Sequence, residues 1–218
     1  MSKMDSFGIL LDLSSLTGEQ FEDLIEAIFR AKKEEVKRKR KFSTFQITRI
    51  LRSGRGHDAG MDLLVTMLLT DCVATREFKW LVQCKHKAKG GTSVGARDFS
   101  GEFTFSDVVA EHDADGYLLV CSTRPGAKLQ QHFNVLNQNR TSGYEFVCWD
   151  GARVCEELFN HPKVMEQFFP DDFRRTHRLM NKDDVDSFIT QYGGKDVEQL
   201  KAALSDVMST TKPRIRTD

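Results

Sequence analysis

Hydrophobic residues in the first third of the chain change from a helical to a strand period. The helical part begins at a capping box, in which Thr17 and Gln20 flank the start of a run with apolar residues at every third or fourth position. The pattern predicts an amphipathic helix with one buried face. Its apolar positions are Phe21, Leu24, Ile25, Ile28 and Phe29.

Five further apolar runs are typical of strands. They cover residues 42–51, 63–69, 78–85, 116–122 and 144–149, and helical patterns at 97–111 and 127–139 separate the last three. The uninterrupted run at 116–122 indicates a strand that is buried on both faces. The order of helix, three strands, helix, strand, helix and strand predicts an α/β fold. Its mixed central sheet is expected to be antiparallel first and parallel later.

After Trp149 only helical patterns remain, at about 151–160, 163–169, 183–192 and 195–208. We therefore expect one domain over residues 1–150 and a helical C-terminal extension or linker over 151–218. This extension would brace the core, form a dimer surface or lead to a partner module, and the pattern leaves these alternatives open.

Composition excludes some classes of protein. The 218 residues carry 32 basic and 32 acidic side chains, so the overall charge predicts no partner. Five cysteines without a C-x-x-C pair argue against a structural zinc site and a disulfide framework, and favour a reducing cytoplasm. A signal peptide is not evident, and no apolar run approaches the ~20 residues of a membrane span. No membrane partner is expected.

Candidate chemistry lies between Gly56 and Lys87. Asp62 follows a glycine-containing turn and opens an apolar strand, while Gln83 and Lys85 point to the same face of the next strand. If the two strands pair as a hairpin, an acid, an amide and an ammonium group share a small volume. In the structural alternative, Asp62 caps the turn, Gln83 satisfies a backbone group and Lys85 reaches to solvent.

Three motifs in this region resemble the PD-(D/E)xK nuclease superfamily, in its Mrr-like restriction endonuclease branch, which carries QxK. The chain resembles it at residues 18–24 (GEQFEDL), 58–62 (DAGMD) and 82–86 (VQCKH), in the family's order and close to its spacing. Ala59 departs from the usual glycine and removes no reactive group. The resemblance spans residues 14–150 and implies a restriction-endonuclease-like αβββαβ core.

The resemblance also implies a metal-dependent active site. Glu22, Asp62, Gln83 and Lys85 would be catalytic. Asp62, the Gln83 amide oxygen and the backbone carbonyl of Cys84 would hold Mg²⁺, for which Mn²⁺ substitutes, and Glu22 would act directly or through water. From the pattern alone, Glu22 belongs to a solvated helix face. The resemblance instead implies that Glu22 reaches the metal site from the flank of the helix.

Positive charge is concentrated between Arg30 and Arg55 and again in the loop after Lys85. Five consecutive cations at 37–41 predict a ridge that neutralises backbone phosphates, although a solvated helix end and a surface loop explain the same residues. The predicted nucleic-acid contacts are Lys37, Arg38, Lys39, Arg40, Lys41, Arg55, His57, His86, Lys87 and Lys89.

The resemblance, together with Asp62, Gln83 and Lys85 in order, implies an Mg²⁺-dependent endonuclease that hydrolyses double-stranded DNA in bacterial restriction or antiphage defence. We expect a homo-oligomer, or control by a fused or separate sensor module. The alternatives are a non-catalytic nucleic-acid-binding module and an RNA- or junction-specific nuclease on the same scaffold.

Overall fold

A computed structural model of the chain describes residues 11–38, 45–53, 61–70, 72–88, 93–99, 105–138 and 143–179. Its strands are β1 (Phe45–Arg52), β2 (Leu63–Thr70), β3 (Thr75–Lys85), β4 (Gly116–Cys121) and β5 (Glu145–Trp149). Its helices are α1 (Gly18–Arg38), α2 (Phe105–Glu111), α3 (Ala127–Gln138), α4 (Gly151–Asn160), α5 (Pro162–Phe168) and α6 (Pro170–Leu179). None of the helices in these ranges is long and apolar enough to cross a membrane.

The five strands form one sheet in the order β1-β2-β3-β4-β5. The β1–β2 and β2–β3 pairs are antiparallel, and the β3–β4 and β4–β5 pairs are parallel. All six residues of β4 are buried, as expected for a central strand that is covered on both faces. The predicted α/β fold is confirmed, with a mixed sheet that is antiparallel first and parallel later.

Helix α1 begins as the capping box predicts. The Thr17 N–H donates to Gln20 Oε1 at 2.8 Å, and the Gln20 N–H donates to Thr17 Oγ1 at 3.1 Å, so two of the unpaired groups at the helix start are satisfied. The predicted apolar stripe is buried, with Phe21 and Ile25 fully inaccessible. The helix packs along β1, and Glu22 near the start of α1 lies 3.4 Å from Arg52 at the end of β1.

The hairpin between β2 and β3 is longer than the apolar pattern predicts. The polar residues 70–77 indicate a break, yet Thr70 pairs with Thr75 and their hydroxyl oxygens lie 3.0 Å apart. The first three residues of β3 are exposed. Exposed strand positions carry no hydrophobic signal, so the pattern marks only the buried part of β3.

The prediction of a single helix over residues 97–111 is wrong at its start and confirmed over 105–111. Residues Ala96–Asp98 form a short 3-10 helix, and α2 begins only at Phe105. The Asp98 carboxylate accepts the Gly95 N–H at 2.8 Å and also bonds to the Lys87 ammonium, so it closes a local turn. Short polar side chains that bond to nearby backbone compete with helix in this way.

Three described helices follow the sheet. Helices α4 and α5 confirm the patterns at 151–160 and 163–169, whereas α6 was not predicted and the patterns at 183–192 and 195–208 lie outside the described residues. Compact units comprise Met1–Pro170 and Asp171–Asp218. Within the first unit, α4 packs on β4 and β5, and α5 packs on α1. The domain boundary at residue 150 stays a prediction.

A buried glutamate ties α4 to α1. Glu157 is 1% exposed and accepts from Lys32 Nζ at 2.5 Å and from Arg153 Nη2 at 2.7 Å. His161 Nε2 lies 3.8 Å from the same carboxylate, and burial lowers the pKa of this histidine. A buried carboxylate needs such partners to offset its lost hydration. Lys32 belongs to the basic stretch between Arg30 and Arg55, and it has a structural partner in Glu157.

The start of α4 lies against the end of β4 with no room for a side chain. A Cβ at Gly151 would stand 2.5 Å from the Ser122 carbonyl oxygen, whereas a Cβ at Gly18 would meet nothing within 4 Å. We expect Gly151→Ala to lower the free energy of unfolding by about 1–3 kcal/mol, because backbone must shift. Gly18→Ala, the matched control, should leave stability unchanged or slightly raised. Chemical denaturation of both variants checks this; equal stability would contradict the close packing.

Candidate active site

Asp62 joins the start of β2 to the last residues of β3. Its backbone N–H donates to the Val82 carbonyl oxygen at 2.9 Å, which extends the antiparallel ladder by one residue. Its carboxylate Oδ2 accepts the Cys84 N–H at 2.5 Å. A carboxylate that is bonded to backbone on the next strand has little freedom, so Asp62 is fixed at this end of the hairpin.

Gln83 and Lys85 occupy alternate positions of β3 beside Asp62. Gln83 is 7% exposed, and its Oε1 accepts a hydrogen bond from the Tyr117 hydroxyl on β4. Lys85 is half-buried, with Nζ 5.1 Å from the centre of the Phe99 ring. The Lys85 charge lowers the pKa of Asp62, so the ammonium group lies within electrostatic range of the carboxylate. The structure therefore brings together the acid, the amide and the amine.

Burial dominates the electrostatics of Asp62. The pKa of Asp62 is raised to about 6, chiefly by desolvation and to a smaller extent by the nearby Glu22 charge. The Cys84 N–H, Lys85 and Arg52 oppose these effects and lower it. Ionisation of Asp62 in the folded protein therefore costs free energy unless a further positive charge lies beside it. Carboxylates with a pKa perturbed in this way are common at functional sites.

Glu22 reaches the same region from α1. Its carboxylate interacts with Asp62 through space, and its side chain is 35% exposed. Arg52, at the end of β1, lies 3.4 Å from Glu22 and 3.6 Å from Glu26, and it also bonds to the Asp23 carboxylate. These acids raise the pKa of Arg52, chiefly through the Asp23 hydrogen bond. The predicted metal-proximal acid therefore has a cationic partner.

The Cys84 thiol has a raised pKa. Burial raises the pKa of its thiol well above the usual range, and the charges of Asp62 and Glu22 act in the same direction. A protonated thiol is a poor nucleophile. The backbone of Cys84 contacts Asp62 through its N–H, and its carbonyl as a metal ligand stays a prediction.

The oxygen donors fit a hard divalent cation. Asp62 and Glu22 supply carboxylates and Gln83 supplies an amide oxygen, which are ligand types that Mg²⁺ and Mn²⁺ accept. In the described ranges no group of three or more His, Cys, Asp and Glu side chains is arranged to hold a metal. The proposed ligand set has two such side chains, since the third side-chain donor is the amide of Gln83.

A protein-family model described as "Restriction endonuclease", of the Mrr catalytic type, matches residues 13–125, which is more than half of the chain. The chain belongs to this family. Glu22, Asp62, Gln83, Lys85 and Tyr117 all lie within the matched residues.

Two solved structures are similar to this Mrr-type chain. One is "MspJI Restriction Endonuclease in Complex with 27-mer Oligonucleotide", with 15% identity, a TM-score of 0.43 and coverage of 94% of this chain and 38% of that chain. The other is "DNA modification-dependent restriction endonuclease AspBHI", with 13% identity, a TM-score of 0.41 and coverage of 81% and 43%. The chain spans less than half the length of either. No curated protein matches it.

Most of the predicted nucleic-acid contacts of this Mrr-type chain fall outside the described side chains. Lys39, Arg40, Lys41, Arg55, His57 and Lys89 lie outside the described residues, and Lys37 and Arg38 are described only as part of α1.

His86 and Lys87 have partners within the chain. His86 Nε2 lies 3.2 Å from the Leu13 carbonyl oxygen, and the His86 ring packs against Phe21. The Lys87 ammonium bonds to Asp98, and its backbone N–H donates to Ser122 Oγ at 2.8 Å. Both side chains therefore help to fold the segment after β3, and their contact with DNA stays a prediction.

Three residues of the Mrr-type site were not predicted. Tyr117 bonds to Gln83, Phe99 packs against Lys85, and Arg52 pairs with Glu22. Tyr117 was assigned only to a buried strand, although its polar hydroxyl in an otherwise apolar run is a signal that a partner is needed. Arg52 was assigned only to the basic stretch.

Proposed function

We propose that this chain is a metal-dependent endonuclease that hydrolyses phosphodiester bonds of double-stranded DNA. The observation that carries the proposal is the bonding of the Asp62 carboxylate to the backbone between Gln83 and Lys85. A half-buried acid, an amide oxygen and an ammonium group lie at one end of the β2–β3 hairpin, inside the residues that match the restriction endonuclease family.

Asp62 and the Gln83 amide oxygen would hold a Mg²⁺ ion, with the Cys84 carbonyl as a further ligand and Glu22 acting directly or through water. When bound, the ion supplies an activated water and positive charge for the phosphoryl oxygens. The raised pKa of Asp62 supports this role, because a desolvated carboxylate gains most from a cation beside it.

Lys85 would orient the attacking water or neutralise the charge that develops on the phosphoryl group. The Lys85 ammonium lies 5.1 Å from the centre of the Phe99 ring, and this contact would help to place the charge before substrate arrives. Preorganised charge stabilises a transition state more than charge that must be ordered during the reaction.

We further propose a role in restriction or antiphage defence, with recognition or activation supplied by self-assembly or by a sensor module. All five cysteines are free thiols, which supports a reducing cytoplasm.

The proposal is tested with four substrates: supercoiled plasmid, linear duplex DNA, single-stranded DNA and RNA. We expect nicking and linearisation of the duplex DNAs with Mg²⁺ or Mn²⁺, and none with EDTA. The Lys85→Met protein, purified in parallel, controls for contaminating nucleases.

Other outcomes separate the alternatives. Salt-sensitive DNA binding that is indifferent to EDTA, without nicking in either metal, would support a non-catalytic binding module. Cleavage confined to RNA or to branched DNA would change the proposed substrate and leave the proposed site residues unchanged. Cleavage that persists in EDTA would overturn the metal-dependent mechanism.

A further inference from the structure

A buried tyrosine on the neighbouring strand holds the candidate amide ligand. Tyr117 is 1% exposed, and its hydroxyl donates to Gln83 Oε1. Its ring packs against Phe105, with ring centres 5.1 Å apart, and edge-on against Phe133 at 6.0 Å. These contacts fix the ring, so the position of the hydroxyl is set by the core and not by solvent.

Orientation matters for an amide more than for a carboxylate. The amide of Gln83 has an oxygen that can bind a cation and an NH₂ group that repels one. The two ends have nearly the same shape, so packing alone selects weakly between them. A hydrogen-bond donor aimed at the oxygen selects strongly. The oxygen has two lone pairs and keeps one for a second partner.

We propose that Tyr117 is a positioning residue, whose hydroxyl holds the Gln83 amide with its oxygen available to a divalent cation. This inference rests on the proposed function. A carboxylate at position 83 would have two equivalent oxygens and would need no such selection. Tyr117 therefore acts specifically with glutamine at this position.

Direct binding of Mn²⁺, measured by electron paramagnetic resonance of the free ion, tests the inference without relying on cleavage. We expect Tyr117→Phe to weaken Mn²⁺ binding about five- to tenfold, since one net hydrogen bond is lost and the amide can turn. Tyr144→Phe is the matched control, because Tyr144 packs against the same core cluster and should leave binding unchanged. The Mn²⁺ concentration for half-maximal plasmid cleavage should rise by the same factor, with the maximal rate nearly preserved.

A second background distinguishes positioning from a general structural role. In the Gln83→Glu protein, Tyr117→Phe should change Mn²⁺ affinity less than about twofold, because either carboxylate oxygen can face the cation. Equal losses of Mn²⁺ affinity in both backgrounds, or no loss in the Gln83 background, would overturn the inference.

If the unsubstituted protein binds Mn²⁺ and cleaves DNA while Tyr117→Phe behaves identically, only the role of Tyr117 fails. If the unsubstituted protein neither binds Mn²⁺ nor cleaves, the proposed function fails and this inference with it.

Discussion

Asp62→Asn is expected to abolish DNA cleavage and, at the same time, to make the metal-free protein more stable at pH 8. Asparagine keeps a carbonyl oxygen that can accept the Cys84 N–H, so the backbone contact of Asp62 survives. It removes the negative charge that burial makes costly. Loss of a direct metal ligand should lower the cleavage rate by more than about 100-fold.

The direction of the stability change follows from the pKa of Asp62, which rises from 3.8 to about 6 in the folded protein. The folded state therefore binds the proton more tightly than the unfolded state. The contribution of protonated Asp62 to the free energy of unfolding is fully present below about pH 4 and is lost as the pH rises through about 6. A difference of about two in pKa corresponds to about 3 kcal/mol at full ionisation. Asp62→Asn should raise the free energy of unfolding by about 2–3 kcal/mol at pH 8 and leave it unchanged near pH 4.

Denaturant unfolding at both pH values, in EDTA, measures the stability change, and plasmid cleavage in Mg²⁺ measures activity. Asp113→Asn is the matched control, because Asp113 is exposed and pairs with Lys79 away from the site. It should change neither measurement appreciably. If Asp62 only caps a turn, its asparagine variant will cleave at the normal rate, and the proposed role of Asp62 is wrong.

The part of the site that could be predicted lies along single strands. Gln83 and Lys85 share a face because strand side chains alternate, and Asp62 approaches them because an antiparallel hairpin returns the chain to the same end. Both rules need only local sequence. They place three of the four proposed catalytic side chains before any packing is known.

The supporting residues could not be predicted in the same way. Tyr117 is 34 residues from Gln83, and Arg52 is 30 residues from Glu22. Their contacts depend on strand order and on the packing of α1 across β1, which hydrophobic periodicity does not specify. The start of the predicted helix at 97–111 was wrong for a different reason, since Asp98 bonds to Gly95 and to Lys87 and closes a turn there.

The candidate site also combines charges that would repel one another without compensation. Glu22 raises the pKa of Asp62, while Arg52 lowers it and pairs with Glu22, Asp23 and Glu26. Arg52 therefore offsets part of the acidic charge on the α1 side of the site, and Lys85 offsets part of it from β3. The pKa of Asp62 remains raised after both contributions. The proposed divalent cation would favour the ionised carboxylate and lower this pKa.

Lys85→Met should lower the rate of plasmid cleavage by about 100- to 1,000-fold, the typical effect of removing one preorganised charge from a reacting centre. Methionine retains an unbranched apolar chain that can pack against Phe99, so the fold and DNA binding should be largely preserved. The loss should appear in the rate at saturating Mg²⁺, because Lys85 is not among the proposed metal ligands.

Lys79→Met provides the matched control for Lys85→Met. Lys79 lies on the same face of β3, about 20 Å along the strand from Lys85, and pairs with Asp113 at 2.6 Å. Removing its charge should leave cleavage unchanged, while both variants lose one positive charge from the same strand. Single-turnover cleavage and Mn²⁺ binding of the two proteins separate chemistry from metal binding. Unreduced cleavage by Lys85→Met, or an equal loss in Lys79→Met, would exclude a specific catalytic role for the Lys85 ammonium group.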